Sequence, residues 1–97
     1  MKLFRRGAPV SLAPLAQYEL VTRAGCHLCD EMATLLDEVL PEHAQGYTPR
    51  DIDAEDTDPA LRERFGDVVP VLLRDGQPVA KVRLDRRTLE RIVRRRA

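Results

Sequence analysis

The sequence predicts an α/β fold in which a four-stranded mixed sheet is flanked by three helices. Two observations predict it: β-type runs and helical patterns follow one another in the order βαβαββα, and an Asp75-Gly76 turn joins the last two strands. A βαβ unit followed by a ββα unit gives such a sheet, with a right-handed connection between the parallel strands. The chain has 97 residues, 43% of them apolar and 33% charged, which is enough for one modest core.

The chain divides into two predicted parts, an irregular N-terminal tail over residues 1–17 and a domain over residues 18–97. Lys2 and two nearby arginines precede a short apolar stretch, as in a secretory signal, but Pro9 and Pro14 inside that stretch disfavour a signal peptide. No apolar run approaches the roughly 20 residues that span a bilayer, so we expect no membrane association.

A strand and a helix are predicted at the start of the domain. Tyr18–Thr22 is rich in aromatic and β-branched side chains and is followed by the small pair Ala24-Gly25, which predicts a short, mostly buried strand. From Asp30 onward, apolar residues recur at helical spacing until Pro41, which predicts a helix over that span. Its apolar residues are Met32, Leu35, Leu36, Val39 and Leu40.

The middle of the chain predicts a second strand and a short helix. Tyr47–Asp53 has strand character, but Pro49 within it cannot donate a hydrogen bond to a neighbouring strand, so this strand belongs at an edge or a bulge. The pair Asp58-Pro59 is typical of a helix start and Gly66 of a helix end, and we expect a short helix between them.

The last part of the domain predicts a hairpin and a final helix. Val68–Leu73 is a continuous apolar run, as in a central strand buried on both faces, and Val79–Leu84 alternates like an antiparallel strand. Asp85 is then placed to cap a helix. The apolar face of that helix consists of Leu89, Ile92 and Val93.

Both cysteines of the chain stand in one motif, Cys26-His27-Leu28-Cys29, between the first strand and the first helix. Thiols at positions i and i+3 on the first turn of a helix face the same side and can close a small disulfide ring. The N-terminus of a helix favours a thiolate at the first cysteine. Cys26 is therefore a candidate nucleophile with Cys29 as its resolving partner, and an imidazolium at His27 would favour the thiolate further.

Two other interpretations of this pair stay open. In the first, the cysteines are structural, partly buried thiols. In the second, they bind zinc or an iron–sulfur cluster that two chains share. A single chain is not expected to complete a metal site, because a helix rising about 1.5 Å per residue places His43 about 20 Å from Cys29.

The net charge is zero, but the charges are unevenly distributed. Residues 30–58 contain ten acidic residues and one basic residue, whereas residues 59–97 contain eleven basic and five acidic ones. Arginines surround the apolar face of the last helix, but no aromatic side chain lies near them in sequence for base stacking. A solvated helix face is therefore preferred to a nucleic-acid site.

With this motif and this element order, the chain resembles the thioredoxin superfamily, and more narrowly its glutaredoxin-like proteins, over about residues 18–93. The resemblance implies a thioredoxin-like fold and a cis peptide bond at Val69-Pro70 beside the active-site disulfide, where the backbone of Val69 is free to pair with an extended substrate. It also implies that Arg23 helps to hold the thiolate and glutathione. Glutaredoxins carry a Gly-Gly pair before their last helix that lets glutathione approach the backbone, and it is absent from the stretch Val82-Arg-Leu-Asp-Arg86.

These observations predict a cytoplasmic thiol–disulfide oxidoreductase that reduces or exchanges disulfides through its dithiol. We expect its partner to be a disulfide-containing protein or a glutathione mixed disulfide, with no bound cofactor and with glutathione as a candidate electron donor. The predicted catalytic residues are Cys26 and Cys29, and the predicted substrate-binding residues are Arg23, His27, Val69 and Pro70. The competing prediction is a non-catalytic thioredoxin-fold binding or regulatory module whose CxxC is structural or binds metal across a dimer.

Overall fold

The computed structural model describes residues 15–95 of the chain. The predicted N-terminal tail lies mostly outside the described residues, and its last three residues, 15–17, form neither helix nor strand.

The secondary structure follows the predicted order βαβαββα. The elements are β1 (Tyr18–Thr22), α1 (His27–Val39), β2 (Tyr47–Asp51), α2 (Pro59–Phe65), β3 (Val71–Arg74), β4 (Gln77–Lys81) and α3 (Arg86–Arg94). A 3-10 turn over Leu40–His43 follows α1 directly and contains Pro41, the residue predicted to end the helix.

The four strands form one mixed sheet in the order β2-β1-β3-β4. Strand β1 is parallel to β2 and antiparallel to β3, and β3 is antiparallel to β4. The predicted fold class is therefore confirmed, with the element order and sheet of a glutaredoxin-like thioredoxin fold. As predicted, Pro49 lies on an edge strand, where its missing N–H disturbs no ladder.

The predicted bounds of four elements were wrong. Helix α1 begins at His27 rather than near Asp30, because Cys26 serves as its N-cap. Strand β2 ends at Asp51 rather than Asp53, since a turn follows it directly.

The other two errors lie in the hairpin. Strand β3 begins at Val71 rather than Val68, because Pro70 has no N–H to donate. Strand β4 runs from Gln77 to Lys81 rather than from Val79 to Leu84. Asp75 and Gly76 both have positive φ, 51° and 83°, so they form a tight two-residue turn that lets pairing begin at once.

Apolar side chains fill both faces of the sheet. Alternation along β1 sends Leu20 to one buried cluster and Val21 to the other. The larger cluster joins the sheet to α1 and α3, and its buried members include Met32, Leu36, Val39, Leu72, Leu89 and Ile92. The smaller one joins the sheet to α2 through Ile52, Phe65, Val71 and Leu73. Strand β3 contributes to both clusters, which confirms that it is a central strand buried on both faces.

Short local contacts fix the helix ends. The Asp58 carboxylate accepts a hydrogen bond from Ala60 N at 2.9 Å, and the Asp85 carboxylate accepts one from Thr88 N at 2.8 Å, as predicted for two N-caps. At the other end of α3, the Arg74 guanidinium donates to the carbonyl of Ile92 at 3.1 Å. Within the described part of the chain, no helix has both the length and the apolar character needed to cross a membrane.

Candidate active site

The strand pairing brings the predicted site residues to one end of the sheet. Val21, near the end of β1, pairs with Val71 at the start of β3, and Val71 pairs with Lys81 at the end of β4. Because Pro70 directly precedes Val71 and the CxxC follows β1, the motif and the Val69-Pro70 segment share this end.

The first cysteine occupies the N-cap of α1. Cys26 has extended backbone angles, φ −97° and ψ 108°, and its Sγ accepts a hydrogen bond from Cys29 N at 3.1 Å. The two cysteines are joined as a disulfide, with their Cα atoms 5.1 Å apart. Disulfides span Cα separations of about 4.4–6.8 Å, so the first turn of α1 holds the pair at a suitable distance.

The two sulfur-bearing residues differ in exposure. Cys26 is half-buried, whereas Cys29 is only 1% exposed and lies within the first turn of α1. An attacking thiol must reach an incoming disulfide, and a resolving thiol needs only to reach its neighbour. The arrangement can therefore perform stepwise exchange in which only Cys26 meets the substrate.

His27 stands on the solvent side of the motif. Its side chain is 86% exposed, and its Nε2 lies 2.8 Å from Oε2 of Glu31, one turn further along α1. The ring is therefore held along the helix surface by a carboxylate.

Arg23 lies in the loop before the motif and joins a network that we call the Arg23 network, formed by Arg23, Asp53, Arg62 and Gly66. Its Nε donates to Asp53 Oδ2 at 2.8 Å, and its Nη1 donates to the carbonyl of Gly66 at 3.2 Å. Arg62 donates to the carbonyl of Ile52 at 3.1 Å, and its Nε lies 3.8 Å from Asp53 Oδ1. The hydrogen bond from Arg23 lowers the pKa of Asp53, and the same bond raises the pKa of Arg23.

The Val69–Pro70 peptide bond is cis, as the resemblance implied. Pro70 is fully buried and Val69 is half-buried against the smaller apolar cluster. The carbonyl of Pro70 accepts a hydrogen bond from Val82 N at 2.7 Å, which ties the start of β3 to the residue after β4.

A groove of about 160 Å³ runs beside the motif, between α1 and the segment that connects β4 to α3. We call it the α1 groove. Its lining residues are Leu28, Glu31, Met32, Leu35, Val82, Arg83 and Leu84. Leu28, the residue just before Cys29 in the motif, is part of this lining, so the groove lies next to the motif.

Two residues of this region were not predicted from the sequence. The sequence places Asp53 at the end of the second predicted strand and gives it no role, whereas it lies just after β2, at the sheet end where Arg23 follows β1. The sequence places Val82 inside the predicted strand Val79–Leu84, whereas β4 ends at Lys81 and Val82 follows it. Its φ of 67°, unusual for a β-branched residue, is a backbone property that no residue pattern signals. No group of three or more His, Cys, Asp or Glu within residues 15–95 is placed to hold a metal ion.

The family can be assigned from residues 17–94, which match the model of the glutaredoxin-like domain (DUF836). The chain belongs to this family. The glutaredoxin-like match spans β1 to α3 and contains the redox pair, the Arg23 network and the α1 groove.

Relatives were found among mycobacterial proteins and solved structures. Proteins of Mycobacterium tuberculosis and Mycobacterium bovis, whose names state no activity, are 43% identical over 63 residues. The alignment covers 63% of this chain and 65% of each relative, just under two thirds of their length. Glutaredoxin 1 from Francisella tularensis, solved in complex with cacodylate, is 18% identical with a TM-score of 0.45, over 78% of this chain and 90% of that one.

Proposed function

We propose that the protein is a thiol–disulfide oxidoreductase in which Cys26 is the attacking thiol and Cys29 the resolving thiol. One observation carries the proposal: Cys26 is half-buried at the N-cap of α1, where its sulfur accepts the Cys29 N–H, while Cys29 is buried. In the reduced pair, that N–H and the helix N-terminus stabilise a thiolate on Cys26. Membership of the glutaredoxin-like family supports the same chemistry.

The reaction proceeds by two exchanges. The Cys26 thiolate attacks one sulfur of a substrate disulfide, the substrate S–S bond breaks, and the first substrate thiolate leaves. The Cys29 thiol then loses its proton and attacks Cys26 Sγ in the mixed disulfide, which releases the second substrate thiolate. Two electrons have passed to the substrate, each substrate thiolate takes up a proton, and the Cys26–Cys29 disulfide remains.

The remaining predicted site residues have binding roles in this proposal. The backbone of Val69, just before Pro70, pairs with an extended substrate chain in the manner of an added strand. Arg23 supplies a positive charge close in sequence to Cys26, held in place by Asp53 and the Gly66 carbonyl. His27 lies on the exposed side, where a docking substrate meets it.

We place this activity in the cytoplasm, because a lone CxxC pair in a small domain suits a compartment where thiols are kept reduced. A thiol reductant, glutathione or a reduced protein dithiol, returns the pair to its active form by the reverse exchange. The proposed substrates are disulfide-containing proteins or mixed disulfides.

The proposal is tested with the variants Cys26→Ser and Cys29→Ser and a reductant-free disulfide substrate. Cys26→Ser should abolish formation of a covalent adduct, while Cys29→Ser should accumulate one on Cys26 because no resolving thiol remains. Intact-mass spectrometry after acid quenching measures both. Tyr47→Phe, which removes a hydroxyl that bonds to Asp37 away from the motif, serves as the control and should behave like wild type. Equal trapping by both cysteine variants, or none by either, would refute the assignment of roles.

A further inference from the structure

Val82, one of the residues that line the α1 groove, has an unusual backbone conformation. It is β-branched, yet its φ is 67°, in the left-handed region that such side chains rarely adopt. The turn around it is closed by a hydrogen bond from Arg83 N to the carbonyl of Lys81 at 2.6 Å. Three-residue turns with positive φ at the centre are rare, and unusual backbone geometry concentrates at functional sites.

The backbone donors of this turn are already used inside the molecule. Val82 N donates to the carbonyl of Pro70 at 2.7 Å, and Arg83 N donates to Lys81. Neither N–H is therefore available to a small ligand that needs backbone donors for its carboxylates and amides. Glutathione is a small ligand of this kind. It has two carboxylates to be bound by donors and no apolar side chain that could bind in their place.

The side chains of the groove favour a different occupant. Five of the seven lining residues have apolar side chains: Leu28, Met32, Leu35, Val82 and Leu84. Of the two charged lining residues, Glu31 is held by His27, whereas no carboxylate within residues 15–95 forms an ion pair with Arg83. The groove is thus suited to an apolar side chain with an acidic group beside it.

We infer that Val82 is a specificity-determining residue, and that the α1 groove selects an extended protein segment carrying an apolar residue and a neighbouring carboxylate beside its disulfide cysteine, in preference to glutathione. The inference rests on the proposed function, because the bound segment must present its disulfide to Cys26. The segment places its apolar side chain in the groove while its cysteine sulfur is attacked by Cys26. The electron and proton transfers are those of the two exchanges above.

The test is a single-turnover oxidation of the pre-reduced full chain, freed of reductant. Three oxidants are compared: a short peptide disulfide with leucine and glutamate next to its cysteine, the same peptide with serine in place of the leucine, and oxidised glutathione. Alkylation and mass spectrometry at timed points give the rate of formation of the Cys26–Cys29 disulfide. The wild type should react with the leucine peptide about tenfold faster than with the other two oxidants. The free energy gained by burying one leucine side chain is large enough for that ratio.

Variants separate the role of Val82 from a general effect. Val82→Gly should fold, because glycine readily adopts the positive φ of this position. Removal of the side chain should reduce the tenfold difference in rate between the leucine peptide and glutathione to about threefold. Val82→Ala keeps a Cβ and should fall between. Arg83→Ala provides an independent measurement and should slow the leucine–glutamate peptide by a larger factor than it slows oxidised glutathione.

Each outcome decides between the two proposals. If the wild type reacts equally with all three oxidants through Cys26, or if Val82→Gly changes every rate by the same factor, the inference about Val82 is wrong and the proposed function stands. If no oxidant produces the Cys26–Cys29 disulfide, the proposed function fails and this inference fails with it.

Discussion

The two sides of the redox motif are built in opposite ways. On one side, the Arg23 network pairs every charge with a partner inside the molecule: Arg23 with Asp53 and the Gly66 carbonyl, and Arg62 with Asp53 and the Ile52 carbonyl. On the other side, five of the seven residues that line the α1 groove are apolar, and its Arg83 forms no ion pair within residues 15–95.

This difference assigns a mainly structural role to the Arg23 network and a substrate-binding role to the α1 groove. A network whose donors and acceptors are already paired holds the loop before Cys26 and the end of α2 together, and apart from the positive charge of Arg23 it offers few groups to a substrate. The exposed apolar side chains and the unpaired arginine of the α1 groove gain free energy only when a ligand covers them. We therefore expect substitutions on the Arg23 side to change stability and substitutions in the groove to change substrate preference.

The largest effect is expected at Phe65, the last residue of α2 and the neighbour of Gly66. It is 1% exposed and is the largest side chain of the smaller apolar cluster. Phe65→Ala should lower the free energy of unfolding by about 3–5 kcal/mol, measured by urea titration, because it leaves a cavity. The protein that remains folded should keep the wild-type preference between peptide and glutathione oxidants. A cost below about 1 kcal/mol would show that α2 does not anchor this side.

A matched pair of leucines gives the next effect. Leu35 lines the α1 groove and Leu61 packs on the smaller cluster, and both are half-buried. Each change to alanine should cost about 1 kcal/mol of stability. Only Leu35→Ala should also slow oxidation of the pair by the leucine peptide, by about threefold, part of the tenfold preference. Equal rates for the two variants would contradict the division into a structural and a recognition side.

The smallest effect concerns Asp53 and depends on pH. Arg23 lowers the pKa of this carboxylate in the folded protein, so the associated stabilisation is present above the ordinary carboxyl range of about 4 and is lost as pH falls through the lowered value. Asp53→Asn should therefore be less stable than wild type at neutral pH, and the difference should shrink in acid.

The midpoints of urea unfolding of wild type and Asp53→Asn, at neutral pH and in acid, measure this difference in stability. Asp56→Asn is the control, because Asp56 forms no ion pair in the part of the chain that the structure describes, and it should match wild type at both. A deficit for Asp53→Asn that persists unchanged in acid would mean that the ion pair with Arg23 is not its cause.

Local patterns in the sequence predicted most of the fold. The periodicity of α1, the Asp58-Pro59 helix start, the Asp85 cap and the Asp75-Gly76 turn all act within a few residues, so each is visible without the rest of the chain. The strand ends were missed where tertiary pairing sets them, as at Val71, whose pairing begins only after Pro70.

The candidate site divides in the same way. The redox pair could be predicted because both cysteines and the helix that holds them are contiguous in sequence. Arg23 and Asp53 are 30 residues apart, and only the parallel pairing of β1 with β2 brings them together. The role of Val82 depends on its φ of 67° and on the Pro70 carbonyl, neither of which is visible in the residue type.

The central claim, that Cys26 and Cys29 form a redox-active pair, is tested most directly by an equilibrium titration of the purified chain in glutathione buffers of graded composition. Acid quenching and mass spectrometry count the species present. We expect one two-electron transition between the dithiol and the Cys26–Cys29 disulfide, near the range of about −200 to −230 mV typical of glutaredoxins. A chain that stays a dithiol in every buffer, or that carries only glutathione adducts, would contradict the account.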